Sequence, residues 1–298
     1  MEIALTGCGG RLGRVLLREW EPEHVVHRLG REELDLSDPG ALEGQLSSLN
    51  FAALVNCAAL ANVERCESER REAELVNGEA PGELARLCAE RGARFIHFST
   101  DYVLEGSKEG LKNEQAPVDP LNHYARTKLL GEERVLDVNP EALVGRVSWL
   151  FGTRPGGVVE SVLQRLCEGQ PLRAVGDKFS KPTSVQEISR MTLALLANDD
   201  LSGIFHLTHP GDPESWWSIA CKVADLGRAA GIVPDRIDMI RQTMAEAERL
   251  QVRRPIHTAM DPERLRKELL WEGVCWEQEA RRTISLLREE SSAEESLR

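Results

Sequence analysis

Short apolar runs alternate with longer amphipathic stretches through the first half of the chain. The runs end at turn residues or charges and occupy residues 2–6, 24–28, 52–56, 94–98 and 142–147. Short apolar runs separated by helix-patterned segments are typical of a parallel sheet that is covered by helices. We therefore predict an α/β fold with a doubly wound parallel sheet.

The clearest helical pattern covers residues 69–91. Apolar side chains recur there at spacings of three or four residues, namely Ala73, Val76, Ala80, Leu84, Leu87 and Cys88. Such a stripe predicts a helix that packs one face against the sheet. Pro81 and Gly82 weigh against an unbroken helix, because proline removes a backbone hydrogen bond.

The pattern changes after residue 150, where a glycine-rich segment at residues 152–157 predicts a flexible connection. Helical patterns follow at residues 158–168, 184–197, 215–229 and 277–288, with a strand-like piece at residues 203–208. We predict a sheet domain at residues 1–150 and a smaller, mainly helical lobe at residues 151–290 that is free to interleave with it. The acidic run near the C-terminus predicts a flexible tail at residues 291–298.

The composition of the 298 residues restricts the classes of partner. The chain has 37 basic and 49 acidic side chains, which gives a formal net charge of −12. An acidic chain without a basic run is a poor match for nucleic acid or an anionic membrane surface, and its apolar stretches are too short to span a bilayer. Seven cysteines without a Cys-x-x-Cys pair predict reduced thiols, and the N-terminus lacks a signal-peptide pattern. We therefore expect a cytoplasmic protein.

A glycine-rich turn follows the first apolar run directly. It carries Gly7, Gly10 and Gly13, and a helical segment begins within it at Arg11 and Leu12. A dinucleotide site needs a tight turn, close approach of the pyrophosphate to the backbone, and helix N–H groups that face the phosphates. The position of this turn between a strand and a helix favours a Rossmann-type NAD(P) site over an ordinary strand-to-helix turn.

The end of the second apolar run bears on the choice of cofactor. NAD sites usually place an acidic residue there for the ribose hydroxyls, whereas NADP sites place a cation for the additional phosphate. Arg28 and Arg31 come before the acidic residues Glu32 and Glu33. We therefore favour NADP(H), with the two arginines as phosphate partners, while NAD(H) stays open.

Tyrosine, lysine and threonine side chains form the candidate catalytic group. Tyr124 and Lys128 are four residues apart, so they share one face of a helix. A neighbouring ammonium lowers the pKa of a phenol from about 10 toward the range where it can donate a proton. Thr100, at the end of the fourth apolar run, can supply a second hydrogen bond to the same oxygen. Together they predict a proton donor for an oxygen whose carbon receives a hydride.

These residues resemble the extended short-chain dehydrogenase/reductase family and, within it, the dTDP-4-dehydrorhamnose reductase family. Besides the glycine turn, the matching segments are Leu34-Asp35, Asn56-Cys57-Ala58-Ala59, Cys66-Glu67-Ser68-Glu69, Ser99-Thr100-Asp101-Tyr102-Val103, Tyr124-x-x-Thr127-Lys128-x-x-Gly131-Glu132, Arg146-Val147-Ser148-Trp149, Pro182-Thr183 and Arg253-Arg254-Pro255. They cover nearly the whole chain. The resemblance implies an NADP(H)-dependent reductase of the C4 ketone of a nucleotide-activated deoxysugar.

The resemblance also implies roles for individual residues. Tyr124 would protonate the sugar C4 oxygen, Lys128 would hold the nicotinamide ribose and lower the pKa of Tyr124, and Thr100 would polarise the carbonyl. The implied cofactor-binding residues, beyond the glycines, the two arginines and Lys128, are Arg11, Leu12, Asp35, Leu36, Asn56, Cys57, Ala58, Ala59, Ser99 and Tyr124 itself. The implied substrate-binding residues are Thr100, Asp101, Tyr102, Val103 and Trp149. The flat ring of Trp149 suits the apolar face of a deoxyhexose, with core packing as the alternative.

Two features leave details of the function open. Lys181 adds a charge to a loop that we expect near the nucleotide-sugar, where the family tends to have a small residue, so the exact sugar and nucleotide are undetermined. A non-catalytic NADP-binding regulatory subunit resembling the β subunit of methionine adenosyltransferase is the alternative to an enzyme. Some relatives dimerise and bind Mg²⁺, so a homodimer and Mg²⁺ stay open, although the sequence has no convincing metal-ligand spacing.

Overall fold

A six-stranded parallel sheet forms the centre of the protein. The structure is a computed structural model that describes residues 1–153, 156–247 and 251–296. The strands are β1 (Glu2–Thr6), β2 (Val25–Leu29), β3 (Ala53–Asn56), β4 (Arg94–Thr100), β5 (Leu143–Val147), β6 (Leu150–Phe151), β7 (Leu172–Val175), β8 (Phe179–Ser180), β9 (Thr183–Ser184), β10 (Gly203–His206), β11 (Glu214–Ser215) and β12 (Met239–Gln242). The first five coincide with the predicted runs to within two residues at each end, which confirms the predicted α/β fold.

The helices alternate with these strands. They are α1 (Arg11–Trp20), α2 (Leu42–Leu46), α3 (Val63–Ser68), α4 (Arg70–Ala73), α5 (Ala80–Arg91), α6 (His123–Val138), α7 (Val158–Cys167), α8 (Val185–Leu196), α9 (Trp216–Ala229), α10 (Glu263–Leu269) and α11 (Trp276–Ser296). Short 3₁₀ turns lie at Pro39–Ala41 and Asp101–Val103, and a π-helical turn lies at Glu74–Glu79.

The order of the strands places a crevice at one edge of the sheet. The six central strands follow the order β10-β5-β4-β3-β1-β2, and all neighbours are parallel. The chain therefore leaves β1 toward β2 and later returns to its other side at β3. In open parallel sheets, ligands bind where the order reverses, at the carboxyl ends of the strands.

Two apolar clusters cover the faces of the sheet. On one face α1 and α8 bury Leu16, Trp20 and Ile188, and on the other α5 and α6 bury Leu84 and Val135. Both faces are thus closed by helices, as expected for strands that are mainly apolar. A third cluster, which lies between α7, α9 and α11, forms the core of the second half.

The predicted helix at residues 69–91 forms, but it is not uniform. The π-helical turn at Glu74–Glu79 precedes Pro81, whose missing N–H is tolerated in the first turn of α5. The turn directs Asn77 inward, where its amide donates to the carbonyl of Leu60 at 3.0 Å and its oxygen accepts from the N–H of Leu60 at 2.9 Å. The irregular turn therefore fixes the loop that follows β3.

The second half of the chain is interleaved with the first. β10 pairs with β5 in the main sheet, and α8 packs against α1. The predicted helices at residues 158–168, 184–197, 215–229 and 277–288 correspond to α7, α8, α9 and α11. The segment that we expected as a flexible tail is helical as far as Ser296, and its last two residues lie outside the described residues.

Candidate functional site

The predicted site residues come together at the carboxyl edge of the sheet. Gly7 follows β1, Cys57 follows β3, Thr100 ends β4 and Trp149 follows β5. Because all of these strands are parallel, their ends lie on the same edge. Gly7 and Trp149, which are 142 positions apart in sequence, therefore lie on the same edge of the sheet.

The glycine turn leaves its backbone open to a ligand. Gly7 adopts a left-handed φ of +62°, and a Cβ there would meet the N of Ala58 at 2.7 Å. The N–H of Gly10 donates to the carbonyl of Gly7 at 2.8 Å, and a Cβ at Gly13 would lie only 2.3 Å from that carbonyl oxygen. Side chains would break this turn, whereas a Cβ on Gly9 would meet nothing within 4 Å. The turn therefore fits the close backbone approach that a pyrophosphate requires.

A cavity of about 340 Å³ lies above this turn. The predicted cofactor residues that line it are Gly7, Gly10, Arg31, Asp35, Leu36, Cys57, Ala58 and Ala59. Residues that we did not predict to bind the cofactor also line it, namely Gly9, Gly30, Leu34, Leu60, Arg65, Glu72 and Val76. The small side chains of Ala58 and Ala59 leave room for a flat group, so the cavity suits the adenosine half of a dinucleotide.

Other predicted cofactor residues have different surroundings. Leu12 packs in the apolar core, and Arg28 turns toward solvent, where it pairs with Glu21. Arg11 donates to the carbonyl of Gly156 at 2.6 Å and so links the glycine turn to the predicted connection. Ser99 is buried at the end of β4.

Two arginines meet at the rim of the cavity. Nη2 of Arg31 lies 3.3 Å from Oε1 of Glu72, whose other oxygen lies 2.8 Å from Nη2 of Arg65. Asp35 instead accepts from the N–H and hydroxyl of Ser37, and these bonds hold the pKa of its carboxyl below the usual value. Arg31 is thus the predicted phosphate partner that remains at the cavity, and Arg65 joins it.

Tyr124 lies in the first turn of α6, which is capped by Asn122. The side-chain oxygen of Asn122 accepts from the N–H of Ala125 at 2.9 Å. The phenol of Tyr124 lies near the side chain of Thr100, and its ring meets the edge of the Tyr102 ring at a centroid distance of 6.1 Å. Burial raises the pKa of Tyr124 to about 12, although its interaction with Thr100 opposes this shift. A phenol in this environment keeps its proton until a reacting oxygen takes it.

Lys128 is held by a buried network. Its ammonium donates to the carbonyl of Phe98 at 2.6 Å and lies 3.0 Å from Nε2 of His97. Nδ1 of His97 lies 3.0 Å from Nδ2 of Asn56, whose oxygen accepts from the hydroxyl of Thr6 at 2.6 Å. Burial lowers the pKa of Lys128 to about 8, and burial beside Lys128 keeps the pKa of His97 well below its usual value. His97 is therefore neutral and bridges β3 to α6.

The segment after β4 is mostly buried. Asp101 is 2% exposed, and its carboxylate accepts from the hydroxyl of Thr258 at 2.6 Å. Tyr102 packs beside Tyr124, whereas Val103 packs in an apolar cluster with Met260. Thr100 and Tyr102 therefore face the cleft more directly than Val103 does.

Trp149 extends the cleft toward the second half of the chain. Its backbone has a left-handed φ of 44°, which a bulky side chain rarely adopts. Its ring stacks on that of Trp216 at a centroid distance of 4.2 Å, and both line a second cavity of about 170 Å³ with Arg165 and Arg173. Trp149 is half-buried, so it combines the two roles considered for it, packing and a face toward the cleft.

Lys181 does not face this cleft. It is 3% exposed and its ammonium donates to the carbonyl of Met260 at 3.1 Å. Its ammonium is therefore held by the protein itself, and the expectation that its loop lies near the nucleotide-sugar stays a prediction. Lys178, three residues earlier, is the buried cation beside Tyr102 and Trp216.

The part of the chain that the structure describes contains no group of three or more side chains that could hold a metal ion. None of its helices is long and apolar enough to cross a membrane.

The functional residues missing from the sequence analysis are single polar side chains. His97, Lys178 and Thr258 belong to no glycine pattern or catalytic spacing, and each is buried by contacts with distant segments. A lone lysine is normally a surface residue. The only feature of the sequence that pointed to Lys178 is its position three residues before Lys181, and this is a weak indication of a site residue.

Comparisons with known proteins agree with this geometry. Residues 1–289 match the RmlD substrate binding domain family. A dTDP-4-dehydrorhamnose reductase from Burkholderia thailandensis is 32% identical over 285 residues, which cover 93% of this chain and 95% of that protein. A crystal structure of a dTDP-4-dehydrorhamnose reductase from Clostridium acetobutylicum is 26% identical, with a TM-score of 0.88 over 97% of this chain and 100% of that one. The Bacillus anthracis dTDP-4-dehydrorhamnose reductase in complex with NADP, at 24% identity, shares the fold with a TM-score of 0.85 over 95% and 96% of the chains.

Proposed function

Because the chain belongs to the RmlD substrate binding domain family, we propose that it is an NADP(H)-dependent reductase of the C4 ketone of a nucleotide-activated deoxysugar. The proposed substrate is dTDP-4-dehydrorhamnose, and the product is the corresponding dTDP-L-rhamnose. The observation that carries the proposal is the half-buried Tyr124, which packs next to Leu60, a residue that lines the cavity above the glycine turn, and interacts with Thr100.

Tyr124 is the proposed proton donor. NADPH, when bound, supplies a hydride to the carbonyl carbon. Tyr124 donates its proton to the oxygen of that carbonyl, and Thr100, whose single hydroxyl hydrogen goes to Asp101, would hold the phenol beside that oxygen. The raised pKa of Tyr124 keeps the phenol protonated at neutral pH, so the donor is ready when a ketone enters. A positive charge nearby stabilises the phenolate that remains. Lys128, one helical turn from Tyr124, is the proposed source of that charge, although its ammonium contacts Phe98 and His97 in the structure.

The cofactor would lie along the switch point of the sheet. Gly7, Gly10 and Gly13 would receive the pyrophosphate, and the cavity beside Asp35 and Leu36 would receive the adenosine. Arg31 is the proposed partner of the additional phosphate of NADP(H). Arg65 lies on the opposite rim and shares Glu72 with it. NADP(H) is favoured for these reasons, and NAD(H) is the alternative cofactor.

The nucleotide-sugar would enter from the side of Trp149. The ring pair of Trp149 and Trp216 offers a flat apolar face, and Arg165 and Arg173 line the adjoining cavity. A sugar-nucleotide has a flat base, an apolar deoxysugar face and a diphosphate, so aromatic and basic groups in one cleft suit its chemistry. The cytoplasm is the proposed compartment for this reaction.

The regulatory-subunit alternative is not favoured. Several relatives that match over most of the chain are named as reductases. The candidate proton donor Tyr124, which is half-buried, and the buried Lys128 are both present on α6. Turnover is the property that separates the two functions.

The test is NADPH oxidation by the purified protein with dTDP-4-dehydro-6-deoxy-L-mannose. The wild-type protein should oxidise NADPH in the presence of this sugar. Tyr124→Phe should lower kcat by about a hundredfold or more, because the proton donor is lost, while NADPH binding is retained. Tyr102→Phe is the matched control, since it removes the chain's other phenol and keeps the ring. Equal activity of Tyr124→Phe and the wild type would refute the assignment, and no turnover by the wild type would refute the substrate.

A further inference from the structure

Lys178 is a cation that is completely buried beside the cleft. Its side chain is 0% exposed, and its ammonium donates to the carbonyl of Pro255 at 2.5 Å and to the hydroxyl of Thr258 at 3.3 Å. It also lies 5.1 Å above the ring centre of Tyr102 and 5.5 Å from that of Trp216. A charge in such a place is retained only if an opposite charge and hydrogen bonds compensate its lost hydration.

Asp101 supplies the opposite charge. The hydroxyl of Thr258 accepts from Lys178 and donates to Oδ2 of Asp101 at 2.6 Å. Oδ1 of Asp101 accepts from the hydroxyl of Thr100 at 3.3 Å, and the side chain of Thr100 interacts with the phenol of Tyr124. One chain of hydrogen bonds therefore runs from Lys178 to Thr100, the neighbour of the proposed proton donor.

We propose that Lys178 is a positioning residue of the reductase: through Thr258 it keeps Asp101 ionised, and the carboxylate then fixes the hydroxyl of Thr100 beside Tyr124. The kinetic part of this inference rests on the proposed function. Without Lys178, the buried carboxyl of Asp101 would take up a proton, because burial disfavours its charged form. A protonated Asp101 would donate a hydrogen bond as well as accept one, and the hydroxyl of Thr100 would lose its fixed orientation.

The electrostatics of the pair support this arrangement. Burial raises the pKa of Asp101, and Lys178 opposes that shift more than any other group. Burial lowers the pKa of Lys178 to about 8, against the attraction of Asp101. The other titratable groups that face the pair from neighbouring elements are Arg254, Tyr102 and Tyr124, and Arg254 lowers the pKa of Lys178 further.

Lys181 provides a matched control. It is also buried, its pKa is also lowered to about 8, and its ammonium also donates to a backbone carbonyl, that of Met260. Its electrostatic partners are Asp261 and Asp212 instead of Asp101. Lys181→Met therefore removes a buried ammonium of the same kind without altering the chain of bonds to Thr100.

The first experiment compares kcat and KM of the wild type, Lys178→Met, Lys178→Arg and Lys181→Met as a function of pH. In Lys178→Met we expect kcat to fall at least tenfold near neutral pH, because the proton donor is no longer positioned correctly. KM for the sugar should change less. The rate should recover as the pH rises and Asp101 ionises, so the acid limb of kcat moves to higher pH. Lys178→Arg should restore most of the rate. A rate and pH profile of Lys178→Met equal to those of Lys181→Met would overturn the proposal.

The second experiment does not depend on activity. Infrared spectra of Lys178→Met should contain the carbonyl band of a protonated carboxylic acid at neutral pH, absent from the wild type and from the Lys178→Met/Asp101→Asn double variant. No such band in Lys178→Met would overturn the proposal. If the band appears while the wild type reduces no sugar, the charge pair stands and the proposed function fails. Should Lys178→Met not fold, Lys178→Gln, which keeps a donor for Pro255, is measured in the same way.

Discussion

The ammonium of Lys128 lies 3.0 Å from Nε2 of His97, and this contact joins α6, which carries Tyr124, to β4. His97 reaches Asn56 with its other ring nitrogen, so one neutral imidazole connects the ends of β3 and β4 to the catalytic helix. The position of Lys128 therefore depends on a histidine that forms no part of any recognisable motif.

Replacing His97 should test this connection. His97→Leu fills the space but leaves the buried ammonium of Lys128 with Phe98 as its remaining partner, so we expect the free energy of unfolding to fall by about 2–3 kcal/mol. His97→Gln keeps a polar side chain for Lys128 and should cost less than half as much. Urea denaturation followed by circular dichroism measures both. Equal losses for the two variants would mean that the shape of the imidazole, and not its polarity, holds Lys128.

Arg28 and Arg31 looked equivalent in the sequence, but the structure gives them different surroundings. Arg31 lines the cavity, whereas Arg28 pairs with Glu21 outside it. Arg31→Ala should weaken NADPH binding about tenfold relative to NADH, because a charge-assisted bond to the additional phosphate contributes about 1.5 kcal/mol or more. Titration of each dinucleotide by fluorescence measures the ratio. Arg28→Ala is the control and should leave the ratio of the NADPH and NADH affinities unchanged. An unchanged ratio in Arg31→Ala would mean that other groups bind the additional phosphate. Arg65 would then be the next residue to test.

The sheet was predictable because its strands are short, mainly apolar runs that end at turns or charges. The apolar run that forms β1 and the glycines that follow it are local patterns, and local patterns can be recognised in a single sequence. The register of Ile3 with Ala53 on one side and Val26 on the other was not readable from those patterns, but the alternation of strands and helices left few topologies to choose from.

The remaining parts of the site depend on contacts between distant segments. Lys178 meets Pro255 and Thr258 across 77 and 80 residues, and Lys128 meets His97 across 31. A lysine or histidine has no local pattern that indicates burial, so the sequence did not single out Lys178 or His97. Lys181 is the opposite case. Its charge suggested a role in the substrate loop, but its ammonium donates to the carbonyl of Met260.

A buried ion pair fastens the catalytic helix to the sheet. Glu132 on α6 accepts three bonds from Arg146 on β5, two from Nε at 3.0 and 3.2 Å and one from Nη2 at 2.6 Å, and each side chain is 2% exposed. Glu132→Ala should lower the free energy of unfolding by about 3–5 kcal/mol, because it leaves the guanidinium of Arg146 buried and unpaired. Chemical denaturation of Glu132→Ala and of Glu133→Ala, its exposed neighbour, makes the comparison. A loss in Glu132→Ala no larger than in Glu133→Ala would contradict the role of the pair.

Lys181 should make the stability of the protein depend on pH in a defined direction. Burial lowers its pKa to about 8 in the folded chain, whereas the unfolded chain has the ordinary value of 10.5. Between these two values the unfolded state binds more protons, so the contribution of Lys181 to the free energy of unfolding rises with pH. Below about pH 8 both states bind the proton and the contribution is constant.

We therefore expect the wild type to gain about 1 kcal/mol per pH unit relative to Lys181→Met between about pH 8 and 10. Urea denaturation of both proteins at each pH measures this difference, which cancels the titration of the other buried groups. A difference that stays flat, or that runs in the opposite direction, would show that the ammonium of Lys181 is not buried in solution.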